Sequence, residues 1–189
     1  TLPILADKDT PPIVSRADTV TEKYRHSVTY FKTALGMVLL REQILGPQRF
    51  DHAFRRFTAA WAYKHPKPDD FFRAMASDAG EDLDYFWRGW FLNNWQMDLA
   101  ATKIAYVKDD PANGALVTVE ARDKLVMPAT LRVTFADGSV KDIRLPAETW
   151  IRQAATAVPV GGTSKVVRAE IDPDHKLPDK DRKNNVVTG

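Results

Sequence analysis

"PQRFDHAFRRFTAAW", residues 47–61, decides the first half of the fold. Phe50, Phe54, Phe57 and Trp61 follow one another at steps of four, three and four. Only a helical winding gathers such a row on one side, so the stretch predicts an amphipathic helix over about 47–63 with an aromatic stripe facing a core. Gly46 is placed to end the helix before it, and Pro47 suits the first helical turn.

Upstream, the pattern predicts a helix from about Asp18 to Leu45. In "SVTYFKTALG", residues 27–36, Val28, Phe31 and Leu35 make the apolar stripe and Tyr30 falls beside it. Residues 1–17 carry Pro3, Pro11 and Pro12 without a period, and read as an extended lead-in. Downstream, "HPKPDD" breaks the chain. Pro68, with Asp69 and Asp70 at the positive end of the helix dipole, then starts a third helix that Gly80 closes. Asp82 is a cap for a fourth helix, whose Leu83, Phe86, Trp87, Trp90 and Phe91 are residues of the buried type.

Near residue 98 the period changes. In "ALVTVEARD", Ala115, Val117, Val119 and Ala121 alternate with polar or outward residues, as do Ala129, Leu131, Val133 and Phe135 in "ATLRVTF". Period two marks half-buried strands. Asn113-Gly114, Asp137-Gly138 and Gly161-Gly162 lie between such runs, as hairpin turns do. The expectation is an α+β chain of two domains: a lead-in over 1–17, an all-α region over 18–98, and a small antiparallel β-sandwich of about six strands over 99–189.

A chain of 189 residues with 44% hydrophobic content can bury real cores, which argues against disorder. A net charge of +2, with lysines and arginines scattered, gives no footprint for nucleic acid. No apolar run approaches the roughly 20 residues of a membrane span. No basic start with an apolar core marks a signal peptide, and the first residue is not Met, so the chain reads as a mature product or a piece of something longer. With no cysteine there is no disulfide, thiolate metal site or cysteine nucleophile.

The four histidines, His26, His52, His65 and His175, include no pair at the spacing that puts two imidazoles on one helix face, and H-E-x-x-H is absent. Each reads as a surface or capping residue, so no metal site is expected in this chain. Ser27 beside His26 lacks a G-x-S-x-G context. The oxygen-rich tail "DPDHKLPDKDRKNN" has the atoms for calcium but not an EF-hand register, and reads as a polar turn. Sugar binding by the sandwich would rest on few aromatics, chiefly Tyr106 and Trp150.

The segment "YFKTALGMVLLREQILGPQRFDHAFRRFTAAWAYKHPKPDDFFRAMASDAGEDLDYFWRGWF" resembles the helical part of the catalytic region in the aminopeptidase N family of gluzincin zinc peptidases. The matching residues are Tyr30, Lys32, Ala34, Leu45-Gly46, Phe50, Asp69-Asp70-Phe71, Gly80, Asp82-Leu83, Phe86 and the aromatics from Trp87 to Trp90. Thr33 stands where that family usually has glycine. "MPATLRVTFADGSVKDIRLPAETW" and "AEIDPDHKLPDKDRKNN" resemble the β-domain that follows in bacterial members.

The resemblance implies that Tyr30 is the tyrosine whose hydroxyl stabilises the oxyanion, with Tyr24, His26 and Lys32 as cleft-lining candidates. It implies zinc in a longer parent enzyme, whose ligands lie upstream of this chain, so that the fragment alone is inactive. The implied partners are that upstream zinc-binding part of the same polypeptide and a peptide substrate. The implied location is periplasmic, secreted or attached to the cell envelope. The competing reading is a non-catalytic relative of such peptidases that serves as a binding module.

Overall fold

The computed structural model describes residue 5 and residues 7–189. Of the lead-in expected over 1–17, residues 1–4 and 6, Pro3 included, lie outside the described residues. The chain is α+β, with one compact unit ending at Trp95 and a second formed by Gln96–Gly189.

In the helical unit, α1 covers residues 22–45, α2 Pro47–Trp61, α3 Pro68–Ala79 and α4 residues 84–91. Helix α1 starts later than the sequence pattern predicts. Ala17–Thr19 forms a separate 3-10 turn, and Val20 is extended (φ −81°, ψ 114°), which breaks the run. At its other end Gly46, at φ 82°, stops α1, and Pro47 opens α2. Helix α3 begins with the Asp70 carboxylate accepting from the Lys67 N–H at 2.8 Å. It closes on a left-handed Gly80, with Gly80 N–H on Ser77 O (3.3 Å) and Glu81 N–H on Ala76 O (3.1 Å). Those two bonds satisfy carbonyls that a bare helix end leaves open. Asp82 does cap α4, accepting from the Asp84 N–H at 2.9 Å.

Leu83, Phe86, Trp87, Trp90 and Phe91 are buried as expected and form the centre of this unit with Leu39, Leu40 and Met75. Phe72 stacks on Trp87 with ring centroids 4.6 Å apart. The aromatic stripe of α2 is a partial correction. Phe50 is buried, but Phe54 is 42% exposed and Phe57 and Trp61 are half-buried. Phe54 and Phe57 lean on Phe71 of α3, with Phe57 to Phe71 at 4.9 Å, and Trp61 packs on Phe57 at 6.3 Å.

The larger correction lies in α1. The expected stripe was Val28, Phe31 and Leu35. Val28 is buried, Leu35 is half-buried and Phe31 is 63% exposed, whereas Lys32 is buried at 2% exposure. A row of buried residues, Tyr24, Val28, Lys32, Gly36 and Leu40, each four after the last, runs along the helix, with Leu39 and Leu45 buried beside it. An α-helix advances such a row by about 40° at every step of four. Here Arg25–Lys32 and Leu40–Leu45 are π-wound, with α-helical Thr33–Leu39 between them. The wider turns rotate the row back, so a spacing of four stays on one face. The Thr33 hydroxyl donates to the Val28 carbonyl, five residues back, at 3.2 Å. A glycine at that position supplies no such bond.

The second unit holds seven strands among the described residues: β1 Leu99–Tyr106, β2 Ala115–Ala121, β3 Ala129–Phe135, β4 Val140–Leu145, β5 Ala155–Val160, β6 Val166–Ile171 and β7 Val186–Thr188. They make two antiparallel sheets, ordered β1-β2-β5 and β4-β3-β6-β7. The alternation read from β2 and β3 holds: Ala115, Val117 and Val119 point inward, as do Ala129, Leu131, Val133 and Phe135. Asp137-Gly138 turns the β3–β4 hairpin, and Asn113-Gly114 lies in the β1–β2 connection. Gly161-Gly162 is not a hairpin turn. Its flanking strands belong to different sheets, so the pair carries the chain from one sheet to the other. Gly162 has φ 146°, and a Cβ there would sit 3.0 Å from the Phe135 ring.

Candidate functional site

Tyr30 projects from the π-wound segment of α1 and is 63% exposed. Its hydroxyl has no hydrogen-bond partner among the described residues. His26, one turn earlier, lies against it, with ring centroids 6.0 Å apart and planes inclined by 29°. With Phe31, also exposed, these residues form an aromatic strip on the open face of α1. The structure therefore brings two of the four sequence-derived candidates together.

The other two lie on the buried face. Tyr24 donates its hydroxyl to Asp7 Oδ2 at 3.0 Å and accepts from Lys23 Nζ at 2.8 Å. Asp7 is held below the usual carboxylate range, first by the Asp9 N–H and then by the bonds from Tyr24 and Lys23. Lys32 runs inward, its Nζ 3.3 Å from Asn94 Oδ1 and 5.6 Å from the centre of the Trp90 ring. Burial pushes its ammonium down to about 8, because removing a charge from water favours the neutral form. The Trp90 indole N–H donates to the Lys32 carbonyl at 3.0 Å. Asn94 also donates to the carbonyls of Asp7 (3.3 Å) and Lys8 (3.0 Å), which ties the lead-in to this helix. Neither Asn94 nor the role of Trp90 was legible in the sequence. The signal that existed was a lysine at the four-residue spacing of Tyr24, Val28 and Gly36.

No three His, Asp or Glu side chains among the described residues converge to hold a metal ion. The described residues therefore do not fit a zinc site. In the oxygen-rich tail the carboxylates of Asp172 and Asp179 are taken by hydrogen bonds, while the side-chain oxygens of Asn184 and Asn185 are buried without a partner among the described residues. Asp172 accepts from Lys176 N–H (2.9 Å), Leu177 N–H (3.0 Å) and Arg182 (2.9 Å). Asp179 accepts from Leu99 N–H (2.8 Å), Asp181 N–H (2.9 Å) and Asn185 (3.1 Å). Burial raises the Asp179 carboxyl despite these donors. Tyr106 and Trp150 offer no sugar platform, since Trp150 is buried and bonded to the Met127 carbonyl and the Tyr106 hydroxyl is shared with the Val166 backbone. The sandwich does carry a cavity of about 370 Å³ at the β3–β4 turn and the Gly161–Ser164 crossing. Its Asp137 carboxylate is occupied by the Ser139 hydroxyl (2.6 Å) and N–H (2.9 Å).

The fold is similar to that of part of a solved aminopeptidase. The chain matches the crystal structure of Legionella pneumophila aminopeptidase A in complex with aspartic acid, with a TM-score of 0.65 over 93% of its length at 15% identity. It spans about a fifth of that protein, 20% of its length. No protein-family model and no curated protein matches the chain. No helix among the described residues is long and apolar enough to cross a membrane.

Proposed function

We propose that the chain is the C-terminal part of a gluzincin zinc metallopeptidase of the aminopeptidase N type, and that Tyr30 is its contribution to catalysis. The observation that carries this reading is an exposed, unbonded phenol on a wound-out helical turn, in a fold shared with part of an aminopeptidase. A zinc ion in the parent would be held by residues upstream of this chain and would supply Lewis-acid activation of the scissile carbonyl and of a water. This chain's own task is narrower. The Tyr30 hydroxyl donates a hydrogen bond to the carbonyl oxygen as it becomes an oxyanion. Such a donor is worth more to the charged intermediate than to the neutral substrate, so it lowers the barrier without tightening ground-state binding. His26 lines the approach to Tyr30, and Tyr24 and Lys32 act from behind the helix. The same proposal carries a periplasmic, secreted or envelope-attached location for the parent.

The test is Tyr30→Phe in the full-length polypeptide. The expected outcome is a fall in kcat of about 10²–10³-fold with KM nearly unchanged. The chain alone is expected to be inactive toward peptides. Unchanged kcat in Tyr30→Phe would return the chain to the reading of a non-catalytic binding module.

A further inference from the structure

The winding of α1 runs against hydrophobic economy. The α-helical phase would bury Phe31 beside Val28 and Leu35, and would turn Lys32 away from the core. The observed phase does the reverse, leaving a phenylalanine 63% exposed and a lysine 2% exposed. Apolar surface belongs inside and an unpaired ammonium outside. Something specific must therefore select the π-wound phase, and three contacts do so, two of them at Lys32 and one at Gly36. The Trp90 indole N–H is bonded to the Lys32 carbonyl, the Lys32 ammonium is bonded to Asn94, and Gly36 leaves room for the Trp90 ring one turn on. No carboxylate pairs with Lys32 among the described residues, so Asn94 Oδ1 is the acceptor that makes its burial tolerable.

We propose that Lys32, held by Asn94, is a positioning residue that fixes the rotational phase of α1 and thereby holds Tyr30 on the open face. Its meaning for catalysis rests on the reading of Tyr30 given above. Without the acceptor, the buried amine is orphaned, the turn rewinds, Phe31 moves inward and Tyr30 swings partway round the helix axis. Replacing both members of the pair by apolar side chains removes the orphan and restores the phase, because a matched apolar pair leaves no unsatisfied group.

Hydroxyl-radical footprinting of the 189-residue chain, read by mass spectrometry with fully exposed Tyr63 as internal reference, tests this. In Asn94→Leu the oxidation of Phe31 is expected to fall about fivefold, the population shift that a kilocalorie or two supports. Lys32→Met with Asn94→Leu is expected to return it to the parent level. A folded Asn94→Leu chain that labels Phe31 and Tyr30 as before overturns the proposal. So does a double variant that fails to restore labelling, since the Asn94 bonds to the Asp7 and Lys8 carbonyls would then be responsible. If Asn94→Leu does not fold, Asn94→Ser is read in the same way. In the full-length polypeptide, Asn94→Leu should lower kcat about tenfold or more at constant KM, with rescue by the double variant. If Tyr30→Phe leaves kcat untouched, the catalytic reading falls, while the footprint still judges the role of Lys32.

Discussion

Gly36→Ala is the sharpest probe of how α1 meets the core. Gly36 is buried on α1, and a Cβ built there falls 2.4 Å from Trp90 Nε1 and 2.7 Å from its Cδ1. Real Cβ contacts do not come so close, so the indole must move. Trp90 is 1% exposed and stacks against Phe86, and the added methyl also meets Phe91 at 3.3 Å, so the ring cannot move without overpacking, at a cost of about 1–3 kcal/mol. Its N–H also leaves the Lys32 carbonyl, and an unsatisfied buried donor costs about 1–3 kcal/mol more. Alanine returns about 1 kcal/mol through helix propensity. The net loss is about 3 kcal/mol, a large fraction of the roughly 5–15 kcal/mol that holds a domain folded. Urea denaturation followed by tryptophan fluorescence reads this unit directly, because Trp61, Trp87, Trp90 and Trp95 lie in it and only Trp150 lies in the sandwich. The midpoint should fall by about 1–3 M, given an m-value of about 1–3 kcal/mol/M. A midpoint unchanged or raised in Gly36→Ala would refute the close approach of Trp90. The same reasoning requires that Trp90→Phe and Gly36→Ala together lose less than the sum of the two, since the phenyl ring removes the clashing atoms.

Three further outcomes follow from the same structure. Lys32 holds its proton in the unfolded chain up to its ordinary value of 10.5 but releases it near 8 when folded. The unfolded state binds more protons in that window, so stability rises with pH between about 8 and 10.5, by about 3 kcal/mol in all; Lys32→Met should flatten this rise in denaturation curves taken across the window. Asp179→Ala orphans the N–H groups of Leu99 and Asp181 and leaves the Asn185 amide only its bond to the Leu99 carbonyl, and is expected to destabilise the sandwich by about 3–5 kcal/mol, read by thermal melting at the Trp150 signal. Millimolar calcium should leave that melting temperature unchanged, because Asp172 and Asp179 already accept from N–H donors; a clear upward shift would contradict this account of the tail.

The change of period near residue 98 was enough to read helices before it and strands after it, since burial on one face imposes both rhythms. The helix stops at Gly46 and Gly80 and the cap at Asp82 were legible because each rests on local chemistry. What the sequence hid was phase. Residues Tyr24 to Leu40 were read at 3.6 per turn, and that reading sent Phe31 inward and Lys32 outward. The winding is instead set by Trp90 and Asn94, some sixty residues away, which no local period reports. Gly161-Gly162 shows the same limit. A glycine pair between two strand-like runs looks alike whether the chain turns back on itself or steps across to another sheet. At the site, Tyr30 and His26 were legible as neighbours at helical spacing. The burial of Tyr24 depends on Asp7 and that of Lys32 on Asn94.

The step at Gly161-Gly162 also sets the order in which the sandwich is assembled. The β3–β4 hairpin is local and closes early. Sheet β1-β2-β5 waits for residues 155–160 to return to 115–121, after that hairpin has been laid down between them. Its companion sheet needs β6 against β3 and then Val186–Thr188 against β6. Long loops must therefore be closed before most pairings repay them, whereas the helical unit gains its first contacts within single turns. Rapid-mixing experiments should see the helical tryptophans settle first and Trp150 lag behind, leaving unpaired strand edges as the interval in which this chain is most exposed to aggregation.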